Sequence, residues 1–224
     1  MATQLELMVW FSPGFPVGAF AYSHGLEWAF ETGDVDDREG LQLWLEDCLL
    51  HGAGRNDAIM LARSIEAARN GDDAQLDEIA ALARALASSR ERRLETCMQG
   101  DAFLTAIDAA WSCPRVAAWR ARTDGETPYP VAVGIAAAGR GFESGDVVEC
   151  HLTAFIANLV SAAIRLGIVG QTDGQRIIAA LLPVIRQVAV EAMTAEVADI
   201  GGCVFAGDLA AICHETQYSR LFRS

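Results

Sequence analysis

An all-α fold, a single globular bundle of about ten helices, is what the sequence predicts. Alanine and leucine dominate, β-branched runs are short, and turn signals punctuate the chain at helix-length intervals. At 224 residues the chain is long enough to bury a sizeable core, and nothing in it resembles a linker, so residues 1–224 read as one domain.

The elements follow in order. Leu7–Trp10 is apolar and reads equally as the end of a short helix or as an anchor for the next loop. In Phe11–Glu27, FSPGFPVGAFAYSHGLE, Pro13 and Pro16 fix φ while Gly14 and Gly18 allow close backbone approach, which predicts an ordered loop. Ala19, Tyr22, Leu26 and Phe30 then recur at helical spacing, predicting a helix that Gly33 ends. Asp36 and Glu39 form a capping-box pattern before Leu41, Trp44, Leu45 and Leu49, and Gly52 with Gly54 stops that helix. A helix from Asn56 or Asp57 ends at Asn70-Gly71, and Asp72-Asp73 starts its hairpin partner.

Ser88-Ser89 leads a long helix whose Arg90, Arg92 and Arg93 read as a solvated face, with Gly100 at a close crossing. Cys113-Pro114 opens a short helix through Val116 and Trp119. Pro128 and Pro130 stand where another begins, and Val131–Ala138 is small and apolar enough to lie inside. Asp146 precedes a long helix to Leu166. Gly167–Gly170 is a turn, and Thr172 with Gln175 caps a helix that Pro183 should kink. A glycine-rich loop, Asp199–Gly207, precedes a last helix from about Asp208 and the tail His214–Ser224.

Charge and composition exclude several functions. The formal charge of −13 argues against binding a nucleic-acid backbone. Every basic residue is arginine, which removes the GxxxxGK[ST] phosphate loop and lysine Schiff-base chemistry. Six cysteines without a CxxC pair, and no secretory leader, read as reduced cytosolic thiols. Arg165, Pro183 and Arg186 interrupt the longest apolar runs, so no membrane span is expected.

Catalytic and metal motifs are incomplete. Ser23 and His24 are adjacent, so their side chains diverge on a helix. His214-Glu215 begins an HExxH pattern, but Tyr218 stands where the second histidine belongs. Cys150-His151 and Cys213-His214 would each need further ligands to hold a metal, and both read first as structural pairs. By its residues alone the chain is an acidic helical domain with a candidate interaction surface. Tyr22, Ser23, His24 and Glu27 are its odd polar groups, and the tail interleaves Tyr218, Leu221 and Phe222 with Arg220 and Arg223 in the manner of a binding hot spot.

SPGFPVGAFAYSHGLEWA at 12–29, SAAIRLGIVGQTDGQR at 161–176 and HETQYSRLFRS at 214–224 together resemble the urease accessory protein F (UreF) family. The family often has alanine at the position of Gly14 and serine at that of Ala21. The resemblance implies a cytoplasmic, dimerising, non-catalytic chaperone of urease maturation. It would join a D/H-type accessory protein to a nickel-carrying G-type GTPase, with apo-urease as the client and nickel as transferred cargo travelling through an interior tunnel. Matching positions place Pro16, Gly18, Tyr22, Ser23, His24 and Glu27 at a partner surface or tunnel. Arg165, Gly170 and Gln171 fall in the central motif, and His214, Glu215, Tyr218, Arg220, Leu221, Phe222 and Arg223 in the tail that binds the D/H-type partner. That tail is expected to order on docking. The alternatives are a direct nickel carrier using Cys213 and His214 across a dimer, and a small metalloenzyme using His24, His151 or His214.

Overall fold

The computed structural model describes residues 2–111 and 113–224, and among them every regular element is helical. Eleven α-helices occur: α1 (Ala2–Trp10), α2 (Leu26–Glu31), α3 (Arg38–Leu50), α4 (Ala53–Asn70), α5 (Asp73–Ala85), α6 (Arg90–Ala110), α7 (Pro114–Arg122), α8 (Tyr129–Arg140), α9 (Ser144–Leu166), α10 (Gln171–Thr194) and α11 (Phe205–His214). Short 3₁₀ turns lie at Ala19–Ala21 and Val197–Asp199.

Local chemistry explains most boundaries. Asp72 and Ser89 accept the N–H groups of Gln75 and Arg92 and so cap α5 and α6. Gly71, Gly141 and Gly167 end α4, α8 and α9 in the left-handed region. Other starts differ from the sequence reading. Asp37, one residue past the expected Asp36, caps α3 by accepting from Gly40. Gly52 precedes α4 and Gly54 lies in its first turn, because both face the end of α3 too closely for any side chain. Gly170, not Thr172, precedes α10, which runs through Pro183 as one element. α11 starts at Phe205, ahead of Asp208.

The core is layered around α8, whose residues 130–137 are all buried between α4 and α6. Gly134 permits that approach: a Cβ there would sit 2.6 Å from the Ser64 Cβ. α9 and α10 are long and apolar enough, by length and composition, to cross a membrane. Here α9 lays Leu152, Ile156, Leu159 and Ala163 against other helices of the same core, and α10 does the same with Ile177, Leu181, Ile185 and Val188.

Candidate functional site

The segment after Pro16 is not the continuous helix that its spacing predicts. A 3₁₀ turn at Ala19–Ala21 gives way to an extended Tyr22, and His24 and Gly25 take positive φ angles of 57° and 80° before α2 begins at Leu26. The reason lies at the far end of the chain. Ser23 donates both its N–H, at 2.7 Å, and its hydroxyl, at 2.6 Å, to the carbonyl oxygen of Ser224. Its Oγ also accepts the Glu27 N–H at 3.3 Å, in the first turn of α2. Gly25 is needed because the backbone of α11 passes 2.6 Å from where its Cβ would be.

The tail therefore does not wait for a partner to become ordered. Arg223 donates its N–H to the Ala21 carbonyl at 2.8 Å, and Phe222, Gln217 and Ser224 are buried. The Glu27 carboxylate accepts the Leu221 and Phe222 N–H groups at 2.6 and 3.0 Å and faces His214 Nε2 at 3.1 Å. His214 Nδ1 lies 2.7 Å from Glu91, which also accepts from Arg220 at 2.5 Å. Glu215 accepts the Arg90 and Glu91 N–H groups, placing a carboxylate on the exposed donors that start α6. Both ring nitrogens of His214 are thus engaged, and Cys213 beside it is half-buried.

Arg165 joins the central segment to the other two. Its guanidinium lies 3.6 Å from the Phe20 ring centroid and 4.3 Å from that of Phe222, and it donates to the Phe20 carbonyl at 2.7 Å. Gly170 and Gln171 are exposed at the turn between α9 and α10, and among the described residues no hydrogen bond ties the Gln171 side chain to the tail. Pro16 is exposed. Gly18 lines a cavity, and Tyr22 is buried with its hydroxyl 3.8 Å from Met98 Sδ. Burial raises the Tyr22 pKa.

Glu95, which sequence reasoning passed over, is the hub beneath this seam. It is 2 % exposed and accepts from Gln99 at 2.9 Å, from Ser224 Oγ at 2.7 Å and from Arg92, and it meets His24 Nε2 at 2.7 Å. Burial would raise its pKa, but Arg92, His24 and the Ser224 hydroxyl outweigh that and hold it at about 2. Burial, helped by Arg92, lowers the His24 pKa despite Glu95. Arg92 accordingly points inward, unlike Arg90 and Arg93, and the reading of all three as a solvated face is corrected for it. The missed signal was the recurrence of Glu95, Gln99 and Phe103 every four residues, which puts two polar groups on the apolar face of α6.

Two cavities, of about 310 and 640 Å³, share His24, Asp57, Arg92, Thr96 and Phe155 in their walls. At this waist the Asp57 carboxylate and His151 Nε2 are 4.0 Å apart. Burial pushes Asp57 up to about 7 and His151 down to about 4, so each favours its uncharged form. Among the described residues no three His, Cys, Asp or Glu side chains converge as a metal site.

A helical bundle whose polar centre is spent on holding its own tail, with exposed Tyr218 and Leu221 beside it, defines an interaction protein. Comparison with known proteins agrees. The UreF family profile matches residues 35–182, a span that omits the segments at 12–29 and 214–224. Whole-chain relatives include them. The chain is 51 % identical over 220 residues to the urease accessory protein UreF of Xanthobacter autotrophicus, covering 98 % of this chain and 90 % of the relative. The corresponding protein of Methylobacterium sp. (strain 4-46) is 50 % identical over 220 residues, covering 98 % and 88 %. That of Methylorubrum populi is 49 % identical over 224 residues, covering all of both chains. The chain belongs to the UreF family of urease accessory proteins, which take part in urease maturation and are not themselves catalysts.

Proposed function

We propose that the protein is a non-catalytic scaffold that joins a D/H-type accessory protein to a nickel-carrying G-type GTPase, and regulates GTP-dependent nickel insertion into apo-urease. The chain acts as one domain, works in the cytoplasm and pairs with a second copy of itself. Nickel is its cargo. The observation that carries the reading is the anchored tail: Phe222 and Ser224 are buried while Tyr218, Arg220, Leu221 and Arg223 project outward from them. A tail backbone held in place in this way loses less entropy on docking than a free tail would. A stable interface needs about 800 Å² per partner, more than these side chains supply. α11, which leads into the tail, exposes Phe205, Leu209 and Ile212 along one face and can extend it.

Deleting residues 218–224 removes buried Phe222 and Ser224 and so confounds docking with stability. Replacing the exposed Tyr218 and Leu221 with alanine leaves the anchors in place. Loss of D/H-type partner capture by this double variant is expected, and undiminished co-purification would overturn the scaffold reading. Direct carriage of nickel by Cys213 and His214 would require His214 to leave both Glu27 and Glu91.

A further inference from the structure

Arg90, Leu94 and Met98 stand four residues apart on α6, and all three are exposed, Leu94 and Met98 at 49 and 51 %. At the helical rise of about 1.5 Å per residue they form a strip about 12 Å long. The tail accompanies it. Glu215 takes the Arg90 N–H at its start, and at its far end the Tyr22 hydroxyl lies 3.8 Å from Met98 Sδ. The Arg223 guanidinium stands at that end too, close enough to counter the rise that burial gives the Tyr22 pKa.

The neighbouring arginines are spent on the protein's own carboxylates: Arg92 on Glu95, Arg93 on Glu126 and Arg220 on Glu91. Among the described residues no acidic side chain pairs with Arg90 or Arg223, although the chain carries a formal charge of −13. A solvated helix face accounts for two such cations and leaves the exposed leucine and methionine between them unexplained. An interface accounts for both, because arginine and methionine are enriched where proteins meet.

We propose that the strip Arg90–Leu94–Met98, closed at its far end by Arg223, docks an acidic amphipathic helix of a protein partner. Two carboxylates about two turns apart on that helix pair with the two guanidiniums, and the apolar residues between them cover Leu94 and Met98. The acidic remainder of the chain repels such a helix, so the two unneutralised cations fix where it lands. The proposal deepens the scaffold reading, since it gives one scaffolded partner a docking chemistry apart from the Tyr218 and Leu221 surface.

The test is NMR of the full-length chain with labelled methionine methyl groups. Met98 reports the strip, and exposed Met8 on α1 is the internal control. The probe is a synthetic helix of about four turns with glutamates about two turns apart around two leucines, compared with the same peptide carrying lysines in their place. The glutamate peptide is expected to shift Met98 and leave Met8 unmoved, with affinity falling about tenfold in the Arg90→Gln/Arg223→Gln double variant and also at high salt. Equal response to the lysine peptide, or a Met98 that neither peptide moves, overturns the strip, and neither result needs a variant to fold. A shift of Met98 with chain concentration alone would assign the strip to a second copy and likewise overturn the proposal. A second arm titrates the D/H-type protein, the G-type GTPase and apo-urease in turn. Movement of Met98 by one of them that the double variant loses supports the proposal, whereas normal capture of all three with Met98 unmoved overturns it. Failure of all three to bind would sink the scaffold reading, and the peptide pair would still decide the strip.

Discussion

The tail seam and the cavity waist lie on either side of Arg92 and Glu95, and they treat buried polar groups in opposite ways. At the seam, Glu27, Glu91, Glu95, Ser23 and His214 all have partners, several of them backbone N–H groups of the tail. At the waist, among the described residues, His151 and Asp57 have none closer than each other at 4.0 Å. The seam therefore spends most of its hydrogen-bonding capacity in holding residues 215–224 down, with Gln217 Oε1 and Arg165 Nη2 left over, while the waist leaves His151 Nδ1 buried and unpaired among the described residues. The first arrangement resists change and presents a surface. The second leaves buried polar groups without partners.

Breaking the seam should have the largest effect. Glu27→Ala leaves the Leu221 and Phe222 N–H groups and one face of His214 without an acceptor, and should cost about 4 kcal/mol at the ~1–3 kcal/mol per buried unpaired group typical of such losses. Chemical denaturation would measure this, and a loss below about 1 kcal/mol would show the tail to be a passive passenger. Phe222→Ala removes the ring beneath Arg165 and should cost about 3 kcal/mol, with the accompanying rise in amide exchange confined to the tail and residues 19–25.

Glu95→Gln tests the hub. The folded-state pKa of about 2 lies below the unfolded value of 4.5, so the stabilisation is complete above about pH 4.5 and is lost as pH falls towards 2. This amounts to about 3 kcal/mol at neutral pH. The variant should show a correspondingly flatter acid limb in its stability profile, and an unchanged limb would remove Glu95 from the account.

The waist should respond with the opposite sign. Asp57 is raised from 3.8 to about 7, so the folded state holds a proton that the unfolded chain releases, and stability declines as pH rises through that window. Asp57→Asn should therefore gain about 1–2 kcal/mol at pH 7.5, and a loss there would mean that the carboxylate is structurally required. The exposed Tyr218→Ala should move stability least, within about 0.5 kcal/mol, while still weakening partner capture.

Much of the fold was legible because helix periodicity, glycine stops and polar caps are local. Asp72, Ser89, Gly71 and the apolar Val131–Ala137 are all placed by residues within a few positions of themselves. The capping patterns at Asp36 and Thr172 misled by a residue or two: Asp37 offered an equivalent cap to Asp36, and α10 starts after Gly170 without a side-chain cap. The polar groups at Tyr22–Glu27 were visible as anomalies of an apolar segment, and the three motifs carried the family resemblance.

What the sequence by itself determined, then, was an all-helical chain of the UreF family, its helices in order and the segments that matter. Only the tertiary structure decided that Ser23 breaks the predicted helix to hold Ser224, 201 positions away, that the tail is folded in place, and that Glu95 ties both to a waist where His151 stands unsatisfied. The physical reason is that periodicity states which face of a helix is apolar, whereas the partner of a buried polar group is chosen by whichever distant segment the packing brings within hydrogen-bond reach.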